Sequence, residues 1–162
     1  MTTSRIFCWP VWVWIGLAAV AMNWGEANAS AADFKVRAQL IWGTDDAKPT
    51  KPYVKELDPK LRSKLRLLKW RNYFEIKDPR FLDNQTFSLA TGVSKRVRIS
   101  ELCEIEVKHL GGSNIEVKLI GEGRLVQKVS QALPKGEYLF LAGNVKEKTN
   151  EAWIVALSAI DE

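Results

Sequence analysis

From Phe34 onward, apolar and polar residues alternate with a period of two over most of the chain. Phe34, Val36, Ala38 and Leu40 fall on one face of an extended segment over residues 34–42. The pattern predicts further strands at 71–77, 85–90, 95–99, 102–109, 115–120, 124–130, 138–142 and 153–158. Turn chemistry separates them: Asp78-Pro79, Gly92, Gly111-Gly112-Ser113-Asn114, Gly121-Glu122-Gly123 and Pro134-Lys135-Gly136. Residues 43–52 read as loop, with Thr44-Asp45-Asp46 followed by two prolines.

One segment breaks the period. Over residues 57–70, Leu57, Leu61, Leu65 and Leu68 recur at helical spacing. Asp58 suits an N-cap, and Pro59 suits the first helical position, where a missing N–H costs nothing. Together these elements predict a mainly β fold: an antiparallel β-sandwich or partly open barrel of about eight strands. One short helix is expected after the first strand, lying across a sheet. The expected core includes Val36, Leu40, Leu61, Leu65, Leu68, Phe74, Cys103, Ile105, Val107, Val117, Leu119, Leu141 and Leu157.

The pair of strands around Gly111 permits a register prediction. Cys103, Ile105, Val107 and His109 alternate with Glu104, Glu106 and Lys108, while Ile115, Val117 and Leu119 alternate with Glu116 and Lys118. A register that keeps both apolar sets on one face sets Lys108 against Glu116 and Glu106 against Lys118. Such pairs are worth about 0.2–1 kcal/mol each. It also assigns Ser113 the left-handed turn position. The competing register gives that position to Asn114 and opposes Lys108 to Lys118. Charge matching favours the first.

The front of the chain has a different pattern. Arg5 precedes a run from Ile6 to Met22 that is apolar apart from Pro10 and Gly16. Small residues follow, with A-x-A sites ending at Ala29 and Ala31. This is the layout of an export signal over residues 1–29, cleaved after Ala29 or Ala31, ahead of a single β-rich domain over 32–162. A competing expectation is an uncleaved N-terminal anchor, but the run is short for a hydrocarbon core of about 30 Å. Export implies a secreted or periplasmic bacterial location. Of the two cysteines, Cys8 would leave with the leader, so Cys103 could form no internal disulfide.

Candidate chemistry is sparse. Cys103 and His109 share a strand face, yet six residues of strand hold them roughly 20 Å apart. A nucleophile and its base need contact, so the pair is no dyad. Asp45 and Asp46 after Trp42 lack calcium-loop spacing. The glycines at 111–112 and 121–123 join strands rather than a strand to a helix, so they are hairpin turns and not phosphate loops. No catalytic, cofactor or metal residues are assigned, no cofactor is expected, and the chemistry leans away from an enzyme.

Charge adds one surface. The chain carries a net +5, unchanged when Arg5 and Glu26 leave with the leader. Arg62, Arg66 and Lys69 follow the helix at i, i+4 and i+7, beside the leucine face. Lys95-Arg96 and Arg98 form a second cluster. An exported basic surface would meet a protein, an anionic polysaccharide or lipid head groups rather than nucleic acid. Insertion in a membrane is expected only through an uncleaved leader.

LIWGTDD at 40–46, KWRNYFE at 69–75 and WIVALSA at 153–159, in that order around a leucine-rich segment, resemble a set of uncharacterised small secreted bacterial proteins. The resemblance implies secretion and carries no activity. The expected function is therefore an exported, non-enzymatic binding or structural module contacting a protein or anionic envelope polymer. The alternative is a small-ligand-binding protein or hydrolase with a carboxylate site between sheet and helix.

Overall fold

A computed structural model describes residues 33–143 and 151–160. The expected signal peptide and its cleavage sites lie outside the described residues. Within them run β1 (Phe34–Thr44), β2 (Val54–Glu56), α1 (Pro59–Leu65), β3 (Asn72–Ile76), β4 (Thr86–Leu89), β5 (Ser94–Arg98), β6 (Cys103–Gly111), β7 (Asn114–Gly121), β8 (Arg124–Ala132), β9 (Tyr138–Ala142) and β10 (Glu151–Ala159). A 3-10 turn, Pro79–Asn84, joins β3 to β4. The fold is mainly β, with two antiparallel sheets and no closed barrel. The first sheet has the order β2-β3-β1-β10-β9, with β4 also on β1; the second is the meander β5-β6-β7-β8. No helix among the described residues is long and apolar enough to cross a membrane.

β1 organises the first sheet because it is long enough to serve two neighbours on one side. Its residues 34–37 pair with β4 and 40–44 with β3, while its other side pairs with β10 throughout 36–44. Even positions Val36, Ala38, Leu40 and Trp42 join the core between the sheets. Ile41 turns the other way and packs with Leu57, Leu61, Leu65, Tyr73, Ile154 and Ala156 beneath α1. Sheet strands covered on both faces lose polar–apolar alternation. That is why the stretch from Trp153 to Ala159 reads as a nearly unbroken apolar run.

α1 starts where the sequence indicates. The Asp58 carboxylate accepts from the backbone N–H of Lys60 at 2.9 Å and of Leu61 at 3.4 Å. It ends earlier than expected, at Leu65, with Arg66 as its C-cap. The N–H of Leu68 donates to the Leu65 carbonyl, closing a tight turn. The turn brings Trp70, not Leu68, onto the sheet, where the Trp70 N–H donates to the Tyr73 hydroxyl at 3.2 Å. Gly43 makes this approach fit, since a Cβ there would stand 3.2 Å from the Tyr73 ring and 3.4 Å from that of Trp70. Leu68 is therefore 41% exposed and not core. The three-residue strand β2, absent from the sequence pattern, comes between β1 and α1, so the helix follows the second strand rather than the first. Phe74 and Cys103 are partly buried against the core rather than fully inside it.

The β6–β7 register is the charge-matched one, with Glu106 opposite Lys118 and Lys108 opposite Glu116. Lys118 pairs with Glu106 at 2.6 Å, whereas Glu116 turns to Lys128 on β8 at 2.9 Å. The left-handed positions are Gly111 (φ +110°) and Gly112 (φ +59°), not Ser113. A register shift between His109 and Gly111 absorbs the extra residue, so the turn strain falls on glycines that lack a Cβ.

Candidate functional site: a cleft at one end of the sandwich

The inner face of the first sheet ends in an aromatic row. Register sets Phe74 on β3 and Trp153 on β10 directly either side of Trp42 on β1. The Trp42 and Phe74 rings lie 5.8 Å apart and tilted by 32°. Trp42 is fully buried, and its indole N–H has no acceptor among the described residues. The Lys51 ammonium sits 5.7 Å over its ring and pairs with Glu151 at 3.2 Å.

Beside this row the two sheets part to leave a cleft of about 580 Å³. Leu40, Ile76, Trp153 and Val155 form one wall; Ile99, Cys103, Leu119 and Val126 form the other. Tyr53 and Leu102 stand at its edge, 53% and 64% exposed, and Trp153 is 43% exposed. Local geometry puts these side chains there. Tyr53 has a left-handed backbone (φ +59°), and its carbonyl accepts from the Lys77 N–H at 2.9 Å. Val126 is the extra residue of a β-bulge, since Leu119 pairs with Gln127 and the next residue, Ile120, with Leu125. Gly121 opposite has no side chain, and a Cβ there would come within 3.1 Å of Val126.

The rim is charged. Arg80, carried by the 3-10 turn, donates to Asp78 at 2.6 Å and to Glu101. Asp78 also accepts from the Arg80 backbone N–H at 3.0 Å. The guanidinium holds the Asp78 carboxyl below the usual carboxylate range. Both carboxylates are therefore occupied as acceptors. Within the cleft, burial and then the neighbouring Glu104 push the Cys103 thiol up to about 11, so it is not a poised nucleophile.

His109 lies at the other end of β6 and is 4% exposed. Its Nε2 lies 2.9 Å from the Gly112 carbonyl, which can only accept, so Nε2 carries the proton. Nδ1 faces the Thr91 hydroxyl at 3.5 Å, and the ring stacks on Phe34 at 4.7 Å. The imidazole clamps the hairpin. Asp45 and Asp46 also have structural partners. Asp45 accepts from the Arg71 N–H at 3.1 Å, and the Asp46 N–H donates to Thr44 Oγ1 at 3.1 Å. Among the described residues no cluster of His, Cys, Asp or Glu is grouped as metal ligands.

Of the sequence-selected basic residues, Arg62 is on α1, Arg66 caps its C-terminus and Lys69 lies in the turn before β3. The expected continuous helix stripe is not formed, because α1 stops at Leu65. All three are exposed, and none lines the cleft. The second cluster is not a free basic patch, since Arg96 and Arg98 converge on Glu104 at 2.6 and 3.0 Å. Sequence reasoning missed Tyr53, Arg80, Leu102 and Val126 as site residues. Asp78-Pro79 marked the turn that carries Arg80, but nothing in the alternation marked the bulge at Val126. Comparison with protein-family models, curated proteins and solved structures found no match.

Proposed function

We propose that the protein is an exported, non-enzymatic binding module that takes the apolar part of a small ligand between its two sheets. The cleft supports this reading: an apolar throat edged by exposed Trp153, Tyr53 and Leu102. Its size falls within the roughly 300–1,000 Å³ of ordinary small-molecule sites. Exposed apolar side chains gathered at a concavity gain from a ligand that removes them from water. The cleft that supports this reading lies between the sheets. Its rim carboxylates are engaged by Arg80, which favours holding a ligand over hydrolysing one. The charged rim suits a polar head on an otherwise apolar ligand.

Titration with the uncharged dye N-phenyl-1-naphthylamine tests this. One saturable site is expected, displaced by a medium-chain fatty acid. Val126→Trp, which fills the cleft from an exposed position, should weaken dye binding at least tenfold with an unchanged thermal midpoint. Equal dye binding by both proteins would reject the cleft as the site.

A further inference from the structure

The turn between α1 and β3 combines two properties that solvation alone does not require. From Lys60 to Arg71 the chain has six basic residues and no acidic one. At the centre of that run Leu67 is 95% exposed and Leu68 41% exposed. Lys64 is paired with Glu137 at 2.9 Å, but Arg62, Arg66 and Lys69 have no ion pair among the described residues. A single exposed leucine is ordinary. Adjacent exposed leucines inside an all-basic run match the chemistry of a bilayer interface, with apolar tips at the acyl boundary and cations at the phosphates.

We infer that this turn docks the protein onto an anionic lipid bilayer, through Leu67 and Leu68 with Arg62, Arg66 and Lys69 around them. Charge complementarity selects an anionic surface, and the leucines select a bilayer over a soluble polyanion, which offers them nothing. Two contacts hold the turn in place. The Leu68 N–H is bonded to the Leu65 carbonyl, and half-buried Trp70 is packed on Gly43. It also stands at the end of the first sheet where Thr44 pairs with Asn72 on one side and Glu151 on the other. Trp153 at the cleft is two residues inward from Glu151, so docking brings that end of the sheet towards the lipid. The inference does not depend on what the cleft binds.

A reporter in the turn separates insertion of the turn from tethering by any other part of the chain. The full chain with Cys8→Ser, Cys103→Ala and Leu67→Cys carries an environment-sensitive fluorophore at position 67; a sister protein carries it through Ser130→Cys. Vesicles of phosphatidylglycerol and phosphatidylcholine (about 3:7), pure phosphatidylcholine vesicles and dextran sulfate are the probes. The emission at 67, and not at 130, should shift to the blue on anionic vesicles and stay unchanged on neutral ones. Adding Arg62→Gln, Arg66→Gln and Lys69→Gln should raise the lipid needed for half the shift by about two orders of magnitude, about fivefold per basic residue. A reporter at 67 that stays in water on anionic vesicles overturns the inference. So does an equal shift on neutral vesicles, or capture by dextran sulfate without a shift on anionic vesicles.

Discussion

Strand β6 has Cys103 at one end and His109 at the other, both on its inner face, and the two ends meet different surroundings. At the His109 end, Val36, Phe87, Leu89, Val107 and Ile115 are all 5% exposed or less, and the Gly111-Gly112 turn is locked to the imidazole. At the Cys103 end the sheets part, and Trp153, Tyr53 and Leu102 remain in contact with solvent. One strand with one alternation thus serves a closed core and an open cleft. What differs is what the opposite sheet supplies: well-packed side chains, with Phe34 stacked on His109, at one end, and an aromatic row beside open space at the other. At the closed end the imidazole is used up in holding the hairpin, whereas the open end leaves apolar surface in contact with water.

The sharpest way to break this comparison is to remove the same chemistry from both ends. Ile115→Ala opens a void in a wholly buried position and should cost about 2–5 kcal/mol. Leu102→Ala, at a position 64% exposed, should stay within about 0.5 kcal/mol. Urea midpoints at constant slope measure both. Comparable losses would mean that the cleft end is packed as part of the core.

His109→Leu tests whether the imidazole is a clamp. It keeps most of the volume but removes the donor to the Gly112 carbonyl and the aromatic stack on Phe34. The expected cost is about 1 kcal/mol, towards the low end for a lost hydrogen bond because Gly112 is exposed and water can replace the donor. Dye binding in the cleft should be unaffected. Lost dye binding with retained stability would couple the two ends and contradict their separate roles.

The sheet framework was legible because strand alternation and glycine turns are local signals. The Glu106–Lys118 register followed from pattern and charge, and the Asp58 cap from residue type. The end of α1 was not legible. Leu68 continues the leucine stripe, but Trp70 wins the sheet surface because Gly43, distant in sequence, leaves room for its ring. The cleft was hidden for a related reason. Trp153 looks like core by period, and its exposure depends on how far the second sheet reaches over it. The bulge that aims Val126 inward depends on a pairing partner that sequence alternation cannot specify. The basic residues were found by type, while the exposure of Leu68 beside them, which continues the leucine stripe, required the helix to end early.

The Cys103 thiol gives the open end its own reporter. Its thiol is raised from about 9 to about 11, first by burial and then by Glu104. Thiolate is the reactive form, so in a Cys8→Ser background its reaction with a maleimide at pH 8 should run about a hundredfold slower than that of an unperturbed cysteine. The rate should climb about tenfold per pH unit towards pH 11. The linkage has a definite sign. The unfolded thiol releases its proton at lower pH than the folded one, so the stability this group contributes is complete below about pH 9 and is lost as pH rises towards about 11. An apolar ligand in the cleft should slow the labelling further, because Cys103 lines its wall. Labelling at the rate of a free thiol at pH 8 would show that the cleft end admits water and reagent as freely as an exposed surface, and the contrast between the two ends of β6 would then be one of packing without desolvation.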